Sequence, residues 1–120
     1  MQIKKSTKHK DGRPWYLYIL VCNDGTLYTG VSPDVLERIK KHIAGKGAVY
    51  TRQRGVSKLV HVEELPTQSA ALRREHEIKK WTRQSKLDFI NGKLLNPKYF
   101  HIRKYLYVNI KKQNNEPKQK

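Results

Sequence analysis

The sequence is poor in the residues that staple, cage or membrane-embed a chain. Cys22 is its only cysteine, so no disulfide can form within it, which suits a reducing compartment. The five histidines (His9, His42, His61, His76 and His101) are scattered without ligand spacing, and Cys22 has no second thiol, which argues against the common zinc sites. No apolar run approaches the ~20 residues that span a bilayer. The opening MQIKKSTKHKDGRP is basic but has no apolar centre, so it is not expected to be a secretory signal. Cytoplasm or nucleoid is the expected location. Acidic residues are scarce too: 10 Asp and Glu face 26 Lys and Arg, a formal net charge of +16. A field of that sign concentrates polyanions and speeds their encounter, which makes nucleic acid the first partner to consider. An anionic membrane surface comes second, but no helix here pairs a basic face with a bulky aromatic one, and no membrane partner is expected. A basic ribosome-associated protein with no catalytic function would have the same composition.

What is present is enough for one domain: 120 residues build one compact core and not two. Residues 1–14 have almost no apolar content and read as a flexible basic arm. Trp15 to Cys22 is an aromatic and β-branched run, followed by Asn23-Asp24-Gly25 and a second run from Leu27 to Val31, which predicts a β-hairpin. Ser32-Pro33-Asp34 offers an N-cap oxygen and then proline at the first helical position. Leu36, Ile39 and Ile43 form the apolar stripe of the helix that follows, which stops near Gly45. From there to Gly55 the expectation is a loop rich in Lys and Arg. Leu59 to Val62 is a third strand, closed by Pro66. Ala71, Leu72, Ile78 and Trp81 mark a second helix from about Gln68, and Ser85 can cap a short third helix over Lys86 to Ile90, ended by Asn91-Gly92.

The domain proper thus covers residues 15–92 in the order β-β-α-β-α-α. It is expected to be a small α/β (α+β) sandwich around a three-stranded, mainly antiparallel sheet flanked by helices. Residues 93–110 form an extension. Its alternation at Leu106, Val108 and Ile110 reads as a strand or hairpin, and residues 111–120 read as a disordered tail. No internal repeat is visible.

Three constellations could carry chemistry. Tyr16 and Tyr18 point to one face of the first strand, and Tyr28 lies on the neighbouring one. Clustered phenols can stack on bases, donate to phosphate or relay a proton, and they can equally be ordinary cross-strand packing. Arg38 and His42 stand four residues apart on the first helix, one above the other at the edge of the apolar stripe. A guanidinium fork suits phosphate, although a solvated charged flank looks the same in sequence. Glu75 falls inside the apolar stripe of the second helix, where a carboxylate is costly without a partner. That partner is either a divalent cation or an Arg or Lys from elsewhere.

Taken together, these residues resemble the GIY-YIG nuclease core, and most closely its small standalone bacterial members. YLYILVCNDGTLYTG sets Tyr16-Leu17-Tyr18 where the GIY triplet stands and Tyr28-Thr29-Gly30 where YIG stands. LERIKKH supplies Arg38 and His42, RREHEIKKW supplies Glu75, and GKGAVYTR is similar to a stretch of the bacterial subgroup. The triplets depart from the family at Tyr16, Leu17 and Thr29, while both tyrosines and Gly30 remain. Asn91 is the candidate for the family's late asparagine.

The resemblance implies a divalent-metal-dependent endonuclease acting on phosphodiester bonds. Glu75 would hold Mg²⁺ or Mn²⁺, Arg38 would stabilise phosphate charge, Tyr18 or Tyr28 would orient or deprotonate water, and His42 would assist the tyrosine or orient the phosphate. Gly30 would allow close backbone approach or an unusual φ. Lys46, Arg52, Arg54, Arg73 and Lys79 would contact phosphates, giving position without sequence information. DNA is the expected substrate ahead of RNA, with structure-selective or weak sequence preference, and an isolated core of this kind often requires a protein partner for specificity. The alternative is a non-catalytic basic DNA- or RNA-binding module on the same fold.

Overall fold

The structure, a computed structural model, describes residues 12–115. Residues 1–11 of the basic arm and 116–120 of the tail lie outside the described residues. The elements are β1 (Trp15–Cys22), β2 (Leu27–Ser32), α1 (Val35–Ile43), α2 (Val49–Arg54), β3 (Val56–Leu65), α3 (Gln68–Lys79), α4 (Arg83–Ile90), a 3₁₀ turn (Pro97–Tyr99) and α5 (Phe100–Asn115). The three strands form one antiparallel sheet in the order β2-β1-β3, with Tyr18 paired to Gly30 on one side and to Val62 on the other. This is the expected α+β architecture, with five helices around the sheet.

The hairpin forms where its turn chemistry allows. Asp24 Oδ1 accepts from the Thr26 amide at 3.0 Å, and the Gly25 amide donates to the Cys22 carbonyl at 2.9 Å. Because side chains alternate across a strand, β1 feeds two clusters, so the single core expected from length is divided by the sheet. Tyr18 and Leu20 pack with Val35, Ile39, Leu59, Ile102 and Leu106, beneath α1 and α5. Leu17 and Ile19 pack with Ile78 on the opposite face, with Trp81 and Ile90 at the margin beneath α3 and α4. The sheet is therefore the middle layer of a sandwich, and β1, hydrogen-bonded on both edges, is its most buried strand.

Several local expectations are corrected. The α1 N-cap is Asp34, whose carboxylate accepts from the Glu37 amide, while Ser32 bonds to Asp34's own backbone instead. The buried stripe of α1 is Val35, Ile39 and His42, with Leu36 and Ile43 only partly buried. The helix is rotated by about one position from the reading based on apolar residues alone, because a buried polar side chain is tolerated once hydrogen-bonded. Residues 49–54 of the expected basic loop form α2, a helix too short for periodicity to reveal. Leu72 is exposed, so the α3 stripe is Ala71 and Ile78. Thr82, not Ser85, caps α4 and starts it at Arg83.

The largest correction is the C-terminal extension. Neither strand nor hairpin forms over residues 99–110, and the helix that replaces them runs on to Asn115, into the stretch expected to be disordered. Tyr99, Ile102 and Leu106 are buried, a helical spacing of three and four, whereas Val108 is exposed. Within the two-residue alternation Leu106 is buried and Val108 exposed, so the two do not share a face. Asn96 and Pro97 start the segment, with the Asn96 side chain accepting from the Lys98 amide.

Candidate active site

Five elements, β1, β2, α1, α2 and α3, supply the chemistry-bearing residues. Register places Tyr18 directly opposite Gly30, and Tyr28 follows two positions away on the same face of β2. A Cβ at Gly30 would sit 2.6 Å from the Tyr18 hydroxyl and 3.0 Å from the Tyr28 ring, so the missing side chain is what lets the phenol lie over β2. Gly30 is not among the positive-φ glycines, which leaves close approach as its role and excludes the unusual φ.

Tyr18 is fully buried, and its hydroxyl lies 3.0 Å from His42 Nε2. His42 is 3 % exposed, and its other ring nitrogen, Nδ1, is 2.7 Å from Thr51 Oγ1. The Tyr28 ring centroid stands 5.3 Å from the imidazole and 6.3 Å from the Tyr18 ring, and Tyr50 of α2 covers Tyr28 from outside at 5.9 Å. Burial pushes the Tyr18 phenol above its ordinary range, helped by the neighbouring Tyr28 and Glu75 charges and opposed by the Arg38 guanidinium. Burial also pushes the His42 imidazole down to about 4, and Arg38 adds to that shift, so the ring is neutral at neutral pH. Arg38 is half-buried and acts on both groups.

Glu75 is half-buried on α3 at 19 % side-chain exposure, with Lys79 Nζ 3.1 Å from its carboxylate. The cationic partner considered from sequence is therefore present. It is also replaceable, since Lys79 is about half exposed and lies one helical turn away. Among the described residues, no group of three or more His, Cys, Asp or Glu could hold a metal ion as an all-protein cage. A single carboxylate still fits a hard cation that keeps most of its waters and shares substrate oxygens.

The expected phosphate contacts divide. Lys46 and Arg52 are exposed on the segment that follows α1. Arg54 is engaged, ion-paired to Asp24 at 3.2 Å and stacked on Tyr50 at 4.0 Å. Arg73 is exposed and donates to Ser69, and Lys79 holds Glu75. Asn91 is exposed at the C-cap of α4. Sequence reasoning did not single out Tyr50 and Thr51, because both lie in the stretch taken as a loop.

The chain matches the family model described as the GIY-YIG catalytic domain over residues 14–88, a nuclease fold. It is 51 % identical over 81 residues to a UPF0213 protein of Streptococcus sanguinis, covering 68 % of this chain and 93 % of that one. A UPF0213 protein of Haloquadratum walsbyi is 55 % identical over 71 residues, covering 59 % of this chain and 80 % of its own. Among solved structures, the UPF0213 protein BH0048 of Bacillus halodurans is 41 % identical, covers 79 % of this chain and 93 % of its own, and superposes with a TM-score of 0.46. The family match ends before α5, which begins at Phe100.

Proposed function

We propose that this chain, which belongs to the GIY-YIG family, is a metal-dependent endonuclease that hydrolyses nucleic-acid phosphodiester bonds, DNA in preference to RNA. The observation that carries the reading is the cluster itself. A phenol, an imidazole and a guanidinium interact at one buried point with a half-buried carboxylate in electrostatic reach.

Backbone hydrolysis needs a positioned water, neutralisation of the charge that builds on phosphorus, and somewhere for a proton to go. Arg38 supplies a fork of donors for a non-bridging phosphate oxygen. Tyr18, fully buried at rest, orients the attacking water through its hydroxyl once substrate binding opens a path to it. Its raised pKa keeps it a neutral phenol at rest, so it takes the water's proton while giving its own to His42 Nε2. The imidazole is neutral and so able to accept, and the negative charge of a bound phosphate raises its proton affinity when it is needed. Tyr28 packs against both rings and limits their motion. Glu75, released from Lys79, would hold one Mg²⁺ or Mn²⁺. Such an ion, when bound, supplies Lewis-acid neutralisation of the phosphate.

The exposed Lys46, Arg52 and Arg73 would track the backbone without reading sequence, which supports structure-selective or weakly selective cutting. No helix of the described residues is long and apolar enough to cross a membrane. A protein partner would add specificity.

The test is nicking of supercoiled plasmid and of a branched oligonucleotide with Mg²⁺, Mn²⁺ or EDTA, by wild type and by a folded, DNA-binding Glu75→Ala variant. The expected outcome is metal-dependent cutting that the variant loses by at least about 10²-fold. Equal cutting by both removes Glu75 as the ligand. Tight binding without cutting by either makes the non-catalytic binding module the correct reading.

A further inference from the structure

His42 is held from both sides, and the hydrogen bonds around it leave one consistent arrangement of protons. Its Nδ1 is 2.7 Å from Thr51 Oγ1, its Nε2 is 3.0 Å from the Tyr18 hydroxyl, and Thr51 Oγ1 is 3.0 Å from the Ala48 carbonyl oxygen. A hydroxyl has a single proton to give, and a carbonyl has none. The contact between Thr51 and Ala48 is therefore a bond only if Thr51 donates, as a threonine hydroxyl at a helix start commonly does toward the carbonyl three residues back. Thr51 then presents only lone pairs to His42, so Nδ1 must carry the ring proton. In a neutral imidazole this leaves Nε2 bare, and it must accept from the Tyr18 hydroxyl. The opposite tautomer would set two acceptor oxygens against each other at 3.0 Å with no proton between them, in a place closed to water: Thr51 is 1 % exposed and His42 3 %.

We propose that Thr51 is a positioning residue that fixes the His42 tautomer, so that Nε2 is the proton acceptor facing Tyr18; this rests on the nuclease reading for its consequence but not for its measurement. The chain between α1 and α2 is shaped for the purpose. A Cβ at Gly47 would collide with His42 Nδ1, so the backbone of this segment lies against the ring. The Ala48 carbonyl also accepts the Arg52 amide at 3.0 Å, which fixes the oxygen that takes the Thr51 proton. Proton bookkeeping then runs in one direction. The attacking water's proton moves to the Tyr18 oxygen as the phenol's own proton moves to Nε2, and the Nδ1 proton stays on the ring, donated to Thr51 Oγ1.

The tautomer is measured directly by long-range ¹H–¹⁵N correlation of His42 in the full chain at neutral pH, without metal or DNA. The expected spectrum has a protonated Nδ1 and a bare Nε2 in wild type and in Thr51→Ser, which keeps the hydroxyl. Thr51→Val keeps the shape and loses the acceptor, so it is expected to populate the Nε2–H form. In plasmid nicking Thr51→Val should lower kcat by about 10- to 100-fold with KM within about twofold, and Thr51→Ser should restore it. A wild-type ring protonated on Nε2, or a Thr51→Val variant that keeps both tautomer and kcat, overturns the proposal. If Thr51→Val does not fold, the wild-type and Thr51→Ser spectra decide the matter. A wild-type chain that never cuts overturns the nuclease reading while leaving the tautomer to the spectrum.

Discussion

The two faces of the sheet each carry a polar cluster built around a histidine, and they differ in how completely the cluster is closed. On the face beneath α3 and α4, Glu63 accepts from Arg74 Nε and Nη2 at 3.0 Å and from His61 at 2.9 Å, while Arg74 Nη1 donates to Glu77. Trp81 and Phe89 pack against the guanidinium, and Phe89 packs against His61. His61 and Arg74 together hold the Glu63 carboxyl down at about 2. Both Glu63 oxygens are thus engaged. On the opposite face, His42 meets two hydroxyls and no carboxylate, and among the described residues no carboxylate forms an ion pair with Arg38. The closed cluster can only stabilise. The open one leaves a half-buried guanidinium with capacity for an anion, which is what a site for phosphate chemistry requires.

Breaking each cluster should therefore be felt in different measurements. The largest effect is expected from Arg38→Ala, which should lower kcat for plasmid nicking by about 10²–10³-fold while the melting temperature moves by less than about 4 °C. A loss of stability as large as the loss of activity would make Arg38 structural and erase the contrast. Gly30→Ala comes next. The added methyl must displace the Tyr18 ring from His42, costing about 1–3 kcal/mol in chemical denaturation along with most of the cutting. Unchanged denaturation and unchanged activity would show that the close approach is not needed.

Glu63→Gln should give the reverse profile, lower stability with kcat for nicking retained. The Glu63 carboxyl lies below its ordinary value of about 4.5 when folded, so its contribution is full above that pH. It is lost as pH falls from there through about 2, a decline on the order of 2 kcal/mol. Urea titrations of wild type and variant across that window should show the wild type losing its advantage at the acid end; parallel curves would remove Glu63 as the linked group. The smallest effect is expected at Lys46→Ala, a few-fold weaker DNA binding with the salt slope lowered by about one and no preference for any sequence. An unaltered slope in a filter-binding series would take Lys46 off the DNA path.

Legibility in the sequence followed the range of the interactions. The hairpin was readable because Asn23-Asp24-Gly25 closes a turn with its own atoms, and the antiparallel order followed from it. Tyr18, Tyr28 and Arg38 could be singled out from alternation and helical spacing, since those periods are properties of the backbone. Glu75 was conspicuous as a carboxylate in an apolar stripe. Neither α2 nor α5 was legible. The first is one and a half turns long, and the second has an alternation that mimics a strand until Tyr99, Ile102 and Leu106 find the core made by β1 and α1. His42 was read as the edge of a stripe because its two hydroxyl partners lie 24 positions before it and nine after it, on other elements.

By itself the sequence determined the charge, the hairpin, the α+β order and the residue types available for phosphate chemistry. Those follow from composition and from periods of two and 3.6 residues, which act within one element. Only the tertiary structure decided that Tyr18 meets His42, that Thr51 stands behind the ring, and that the C-terminal segment is a helix. Each of these depends on burial, which withdraws water and leaves a polar group only the partners that other elements bring to it.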